Sequence, residues 1–324
     1  MKKNNPKIFK LLTIFALIAP LLICILIFTL IPIFRTFASS LKFYPDPTNH
    51  TIHKIGMGNY KKIWNDDQFL SAIKNSTAVL FVATFISFCA AFGFALLIES
   101  ILSKISKNFF LTLIFSQFFI SSFAVGIAFT LFFGEKGLFF KIIGQNEYGF
   151  TNGNKRIPIW IYYSIFQIWR SLPFNTVLLA SAINLADIKY KKMMINDNLS
   201  LIQRIRFIYI NQISKVFFSI IFTNFIFASL LLPDVLLDST YDIDLWKAHT
   251  LTSYTIKYMG GGLNGSLEFE KGYASAFFSF IYLLFIICLV QLLRPKYILK
   301  ISKKIKYWYL KFKNKDAQNV IKVR

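Results

Sequence analysis

The chain has 324 residues, 55% of them hydrophobic and 38 of them Phe, with a formal net charge of +22. So apolar a composition, with a positive mean hydropathy, excludes an ordinary soluble domain. The excess of Lys and Arg would suit nucleic acid if it formed one basic face, but these residues lie between apolar runs and accompany no DNA- or RNA-binding module, so a nucleic-acid partner is excluded.

Six runs approach the roughly 20 apolar residues that carry a helix across a hydrocarbon core. In chain order they are Leu11–Phe34, Thr77–Ile98, Phe109–Phe133, Ile159–Leu185, Val216–Leu232 and Tyr273–Leu293. The first is too long for a signal peptide and lacks a small-residue cleavage site, so it reads as a retained span. The fourth is interrupted by Arg170 and Pro173, and the fifth is short. These runs predict an all-α, polytopic membrane protein with six transmembrane helices.

Basic residues orient them. With the N-terminus inside, the inner segments hold 23 basic and 4 acidic residues and the outer segments 13 and 11. Both termini are therefore expected on the cytoplasmic side of the cell membrane. The boundaries drawn are residues 1–70 for the N-terminus, first helix and external segment, and 71–293 for a five-helix core with a cytoplasmic loop at 186–213. Residues 294–324 form a basic cytoplasmic tail at the membrane surface or in solution.

Signs of catalysis are missing. The chain has no phosphate-cradling GxxxxGK[ST] loop, no HExxH and no GxSxG. His50, His53 and His249 fall in outer loops and read as solvated. Cys24, Cys89 and Cys288 lie in apolar runs without metal or redox spacing and read as small core residues. Glu99, at the inner end of the second run, is the one borderline acid within a span, too little for a proton-coupled carrier.

The inner segment Ile183–Ile213 is the strongest clue. It combines charge with apolar residues at Leu199, Ile202, Ile205, Ile208 and Ile213, a spacing that predicts an amphipathic helix along the membrane face. Asp197, Asn198 and Ser200 are helix-start residues placed where a turn between two short helices would fall. A helix, turn, helix element on the cytoplasmic surface is a docking device.

Here the chain resembles the permease subunits of bacterial binding-protein-dependent ABC importers, in the branch that takes up maltose-like sugars and glycerol 3-phosphate. That family carries EAA, two residues, DGA in this loop. The matching register sets Lys192, Met193 and Met194 on EAA and Asp197, Asn198 and Leu199 on DGA, with only Asp197 identical. The likeness continues through GMGNYKKIWNDDQFLSAIKNS (Gly56 to Ser76), SSFAVGIAFTLFFGEKGLF, Trp169 and Arg170 followed by LPFNTVLLASAINLADI, and KGYASAFFSFIYLLF.

The resemblance implies a transport subunit and not an enzyme, moving a sugar or glycerol-phosphate-like solute. It implies a second permease, two ATP-binding subunits, an extracytoplasmic solute-binding protein and the lipid bilayer as partners. No cofactor is expected on this chain, since ATP and Mg would be bound by partners. Lys192, Met193, Met194, Asp197, Asn198 and Leu199 would form the ATPase-coupling loop, and Asn198 stands where the family has glycine. Arg170, with Gln117 and Asn175, is a candidate for the solute pathway. Arg170 reads either as a cavity-lining cation or as an interhelical or snorkelling side chain beside Pro173. The amides Gln117, Gln167, Asn175 and Asn184 read either as pathway or as interhelical bonding. The rival classes are a membrane-embedded lipid-modifying enzyme and a stand-alone secondary carrier.

Overall fold

The structure, a computed structural model, describes residues 6–45, 53–134, 138–145, 147–151, 155–237, 241–261 and 265–292. The chain separates into two units, 1–279 and 280–324. Of the second, only the helical stretch to Leu292 is among the described residues, so the basic tail expected over 294–324 lies outside them.

The first helix, α1, runs from Pro6 to Ile25, passes through a π turn at Leu26–Leu30 and ends as Ile31–Ser40. Next come α2 (Gly58–Trp64) and α3 (Asp67–Glu99), then α4 (Lys104–Ser116), α5 (Ser122–Phe133) and the short α6 (Leu138–Ile143). The longest helix, α7, spans Ile159–Asn196, and α8 (Leu201–Ser229), α9 (Leu251–Tyr258) and α10 (Phe269–Leu292) complete the described chain. Two ribbons of two-residue strands sit in the loops: Lys42–Phe43 pairs antiparallel with Lys54–Ile55, and Tyr148–Gly149 pairs parallel with Lys155–Arg156.

Among the described residues six stretches are long and apolar enough to cross a membrane: α1, α3, Phe123–Ile143 through α5 and α6, α7, α8 and α10. The protein is a multi-pass membrane protein of the predicted all-α class. The helices outrun several of the expected bounds, α1 continuing to Ser40, α3 starting at Asp67 and α7 continuing to Asn196, and three further differences have a local reason. The run Phe109–Phe133 is broken: α4 closes with a 3₁₀ turn at Gln117–Phe119, Ile120 is extended, and Ser121 caps α5 by accepting from the Phe123 N–H at 3.3 Å. The fourth run is not interrupted, because Pro173 is accommodated within a continuous α7 at the cost of the Trp169 carbonyl's usual helical donor. The fifth span begins at Leu201 and not near Val216, because nothing between those residues breaks a helix.

The core lies where α3, α7 and α8 meet. Ala91 and Ala95 of α3 let α7 approach closely, and Leu179, Ile183, Met194, Ile208, Ile213 and Ile220 fill the inner half. By contrast α1 faces outward along nearly its whole length. Its last turn is fastened: Asn59 Nδ2 donates to the Ser40 and Lys42 carbonyls at 2.9 and 2.6 Å, and Phe37 meets Phe277 at 4.6 Å. The asparagine of FLSAIKNS has a matching role, since Asn75 Nδ2 donates at 3.0 Å to the carbonyls of both Lys247 and His249. The three cysteines are not core residues. Cys24, Cys89 and Cys288 are all exposed on outward faces of their helices.

Candidate functional site

The inner turn between α7 and α8 is built by backbone hydrogen bonds. At the end of α7 the Leu199 N–H donates to the Met194 carbonyl at 3.1 Å and the Asn198 N–H to the Ile195 carbonyl at 3.2 Å. This paired pattern closes a helix through one left-handed residue, and that residue is Asn198, with φ of 42°. Asn tolerates this region better than any residue but glycine. Leu199 packs back on the cluster that contains Met194, completing the motif. Ser200 then opens α8 with a capping box, its N–H donating to Gln203 Oε1 at 2.9 Å. Arg204 Nε donates to the Leu199 carbonyl at 2.9 Å, tying the turn to the new helix.

Two expectations change here. Asp197 does not start a helix: it follows the last residue of α7, its side chain is exposed, and Ser200 is the residue that caps α8. The amphipathic stretch does not lie along the membrane as a separate helix. Its apolar side turns toward α7, where Ile208 and Ile213 are buried, so it continues as the first turns of α8.

The six residues singled out in this loop divide by direction. Met194 is buried among Ile208, Tyr209 and Ile213, whereas Lys192, Met193, Asp197 and Asn198 are exposed and Leu199 is half-buried. Met193 does not stand alone. Ile195, Leu201 and Ile202 are 64%, 62% and 77% exposed. All of them lie beyond Lys189, Lys191 and Lys192, the residues expected at the headgroup level. Apolar side chains gathered past the membrane's basic rim face water unless another protein covers them.

A second feature lies at the helix break. A cavity of about 120 Å³ is lined by Gln117, Ile120, Val125, Trp169, Arg170 and Phe227, among others. Arg170 sits about 16 Å along α7 from Ile159, near the middle of a hydrocarbon core. Its Nη1 reaches the Phe227 carbonyl at 3.4 Å and its guanidinium stands 4.9 Å from the Phe227 ring. No carboxylate is paired with it among the described residues. Gln117 and Arg170 thus share one cavity. Asn175 does not join them: it is fully buried and donates to Ser87 Oγ at 2.8 Å, which in turn meets Ser171 Oγ at 2.7 Å.

Sequence reasoning passed over two polar groupings. At the inner end of α3, Glu99 pairs with Lys107 of α4 and accepts from Asn184 Nδ2 at 3.3 Å. One turn further along α7, Asp187 Oδ1 accepts from the Tyr209 hydroxyl at 2.7 Å. On the outer side, Asp66 accepts from Tyr254 at 2.7 Å and from Lys271 at 2.9 Å. Beside it, Asp244 accepts from Lys257 at 2.6 Å and from His249 Nε2 at 2.7 Å. His249 is therefore a buried structural residue and not a solvated one, while His53 is exposed and His50 lies outside the described residues. Burial pushes both carboxyls up, but the hydrogen bonds from Lys271 and Tyr254 to Asp66, and from Lys257 and His249 to Asp244, outweigh it and hold both below the ordinary carboxylate value. Burial lowers the His249 ring, and the neighbouring Asp244 only partly offsets this. Among the described residues no group of His, Cys, Asp and Glu could hold a metal ion.

Comparison with known proteins agrees with this architecture. No family model matches the chain. It is 22% identical over 171 residues to a probable ABC transporter permease protein of Mycoplasma genitalium, covering 52% of each chain. It is 25% identical over 175 residues to the Mycoplasma pneumoniae homolog, again covering 52% of each. The chain thus spans about half the length of the curated relatives it matches. Its fold is similar to a chain of a bacterial ABC transporter involved in the import of the acidic polysaccharide alginate. The TM-score is 0.66 at 19% identity, covering 90% of this chain and 98% of that one. A second structure of the bacterial alginate transporter, in complex with an alginate pentasaccharide-bound periplasmic protein, gives a TM-score of 0.63 at 18% identity over 90% and 97%. The chain has the fold of an ABC importer permease.

Proposed function

We propose that this chain is a membrane-spanning permease subunit of an ATP-driven importer, and that the turn between α7 and α8 docks an ATP-binding partner. The observation that carries the reading is the apolar tip formed by Met193, Ile195, Leu201 and Ile202, held beyond the basic rim by a doubly capped turn. Movement passes between subunits that share no covalent link only through a packed and rigid contact. This tip has both properties, and the similarity to importer permeases supports the same role.

In this reading a second permease completes the pathway, two ATP-binding subunits sit below and an extracytoplasmic solute-binding protein delivers the solute from above. Both termini are cytoplasmic, ATP and Mg are bound by the partners, and the chain performs no covalent chemistry. The solute is a sugar or glycerol-phosphate-like compound of the kind taken up by the maltose and glycerol 3-phosphate branch. Arg170 at mid-membrane, with no carboxylate paired to it among the described residues, favours an anionic member of that class, and a saccharide acid meets the same requirement. The aromatic walls Phe118, Phe166, Trp169 and Phe227 offer flat apolar faces beside the cation.

The test is reconstitution of the chain with its neighbouring permease, ATPase and binding-protein genes in vesicles. The expected result is uptake that requires ATP and the binding protein. Uptake by this chain alone would identify a secondary carrier, and turnover of lipid without uptake would identify a membrane enzyme.

A further inference from the structure

Among the described residues Glu99 is the one carboxylate whose side chain is buried at the inner end of the core, and neither docking nor the solute pathway accounts for it. Its side chain is 7% exposed, that of Lys107 is 15% exposed, and the two form an ion pair. A pair so placed gains little stability over an apolar pair, so stability alone does not account for it. Glu99 Oε2 also accepts from Asn184, and Glu99 Oε1 is buried without a partner. On the same helix, Asp187 receives the Tyr209 hydroxyl, and Tyr209 belongs to the cluster that holds Met194 and the docking turn. A path therefore runs from the turn through Tyr209 to Asp187, along one turn of α7 to Asn184, and on to Glu99 and Lys107.

Lys107 is in the first turn of α4, whose other end is the break at Gln117–Ser121. No residue of α4 is fully buried; it is held by its tie to Glu99, by its contact with α7 and by half-buried Leu111, which packs on the inner core cluster. The outer half, α5, is fixed separately: Gly126 is so close to Val235 that a Cβ would come within 2.6 Å of its carbonyl oxygen, and Thr130 Oγ1 donates to the Leu236 carbonyl at 2.9 Å. The two halves of the broken span are thus fastened to different ends of the protein, and the cavity with Gln117 and Arg170 lies at the joint between them.

We infer that Glu99 and Lys107 are positioning residues that yoke α4 to the docking turn, so that the inner half-helix moves with the turn while the outer half stays, and the break beside Arg170 acts as the hinge that opens and closes the cavity. The inference rests on the importer reading above. It differs from a general statement of coupling by naming which helix half travels and which ion pair carries it.

The experiment uses the assembled complex with Cys24, Cys89 and Cys288 replaced. Spin labels are placed at Ile105→Cys with Asn196→Cys, which report α4 against the turn through an exposed position outside the apolar tip, and at Ile105→Cys with Ile127→Cys, which report across the break. Between nucleotide-free and ATP-trapped states the first distance should hold and the second should change. Lys107→Met should broaden the first distance and lower the solute moved per ATP by about tenfold, the size of an ordinary allosteric coupling. The paired exchange Glu99→Lys with Lys107→Glu should restore both. A first distance that changes with ATP in the native sequence overturns the yoke, as does a Lys107→Met complex with native stoichiometry of transport. An exchange that assembles but stays uncoupled also overturns it, and if the exchange does not assemble, the two distances in the native sequence decide alone. A complex without ATP-dependent uptake or any distance change refutes the importer reading itself.

Discussion

Met193 and Met194 are adjacent in the chain and face opposite ways: Met194 is 5% exposed and packs into the inner core, whereas Met193 is 48% exposed at the tip of the turn between α7 and α8. Replacing both at once would therefore confuse two effects. Met193→Asp is expected to leave the protein folded and inserted but to abolish co-purification with the ATP-binding subunit, because it puts an unpaired charge in the contact. Met194→Ala should instead leave a cavity costing about 2–5 kcal/mol and lower thermal stability without the partner present. A pull-down and a melting curve on each single variant separate the two, and equal pull-down by Met193→Asp and the native protein would remove the tip from the interface.

Arg170 gives the solute prediction. Arg170→Gln keeps a hydrogen-bonding side chain but removes the mid-membrane charge, and a charge-assisted bond lost from such a site is worth about 1.5–3 kcal/mol. Uptake of an anionic solute should fall by about tenfold or more while assembly and basal ATP hydrolysis persist, and a neutral solute should be affected less. Equal uptake of every solute by mutant and native complexes would assign Arg170 to helix packing.

Asn198 tests the turn. At φ of 42° Asn198→Gly should be tolerated, whereas a β-branched replacement such as Asn198→Val should cost about 1–2 kcal/mol locally and loosen the docking surface. Faster hydrogen exchange at Leu199 and Ser200 in the Val variant, with native exchange in the Gly variant, is the expected readout. Native exchange in both would show that the turn is held by its neighbours alone.

The outer network carries a pH dependence. His249 is held below its ordinary value, so the unfolded chain takes up its proton first, and the stability it contributes is present above about pH 6.5 and declines as pH falls below that. Asp66 and Asp244 are also held low, so their contribution persists to about pH 4 and is lost below it. Melting temperature measured against pH should therefore fall in two stages, and His249→Gln should remove the upper stage only. A profile unchanged by this substitution would mean that His249 does not titrate with unfolding.

What was legible in the sequence was what hydropathy and charge encode: six crossings and an inner segment of special character between the fourth and fifth. The break at Gln117–Ser121 was not, because Ser121 and Ser122 are too few and too small to interrupt an apolar average, although a serine pair beside Gln117 is a capping signal. Arg170 and Pro173 misled in the other direction, suggesting an interruption that the packed core overrides. The opposed directions of Met193 and Met194 could not be read while α7 was taken to end near Leu185, since the phase of a helix is defined only where the helix continues. The pairing of Glu99 was hidden because its partners Lys107 and Asn184 come from two other helices.

The length of α7 has one more consequence. Its 38 residues extend about 57 Å at 1.5 Å per residue, while a hydrocarbon core is about 30 Å thick. Counted from Ile159, Lys189 to Lys192 lie about 45–50 Å along the helix, at the inner headgroups, and the turn after them projects on into water. Its tip stands about one screening length from that charged surface, roughly 8 Å in physiological salt, so it feels little of the field of anionic lipid. The membrane then serves as the anchor of the stalk and takes no part in choosing what meets its tip.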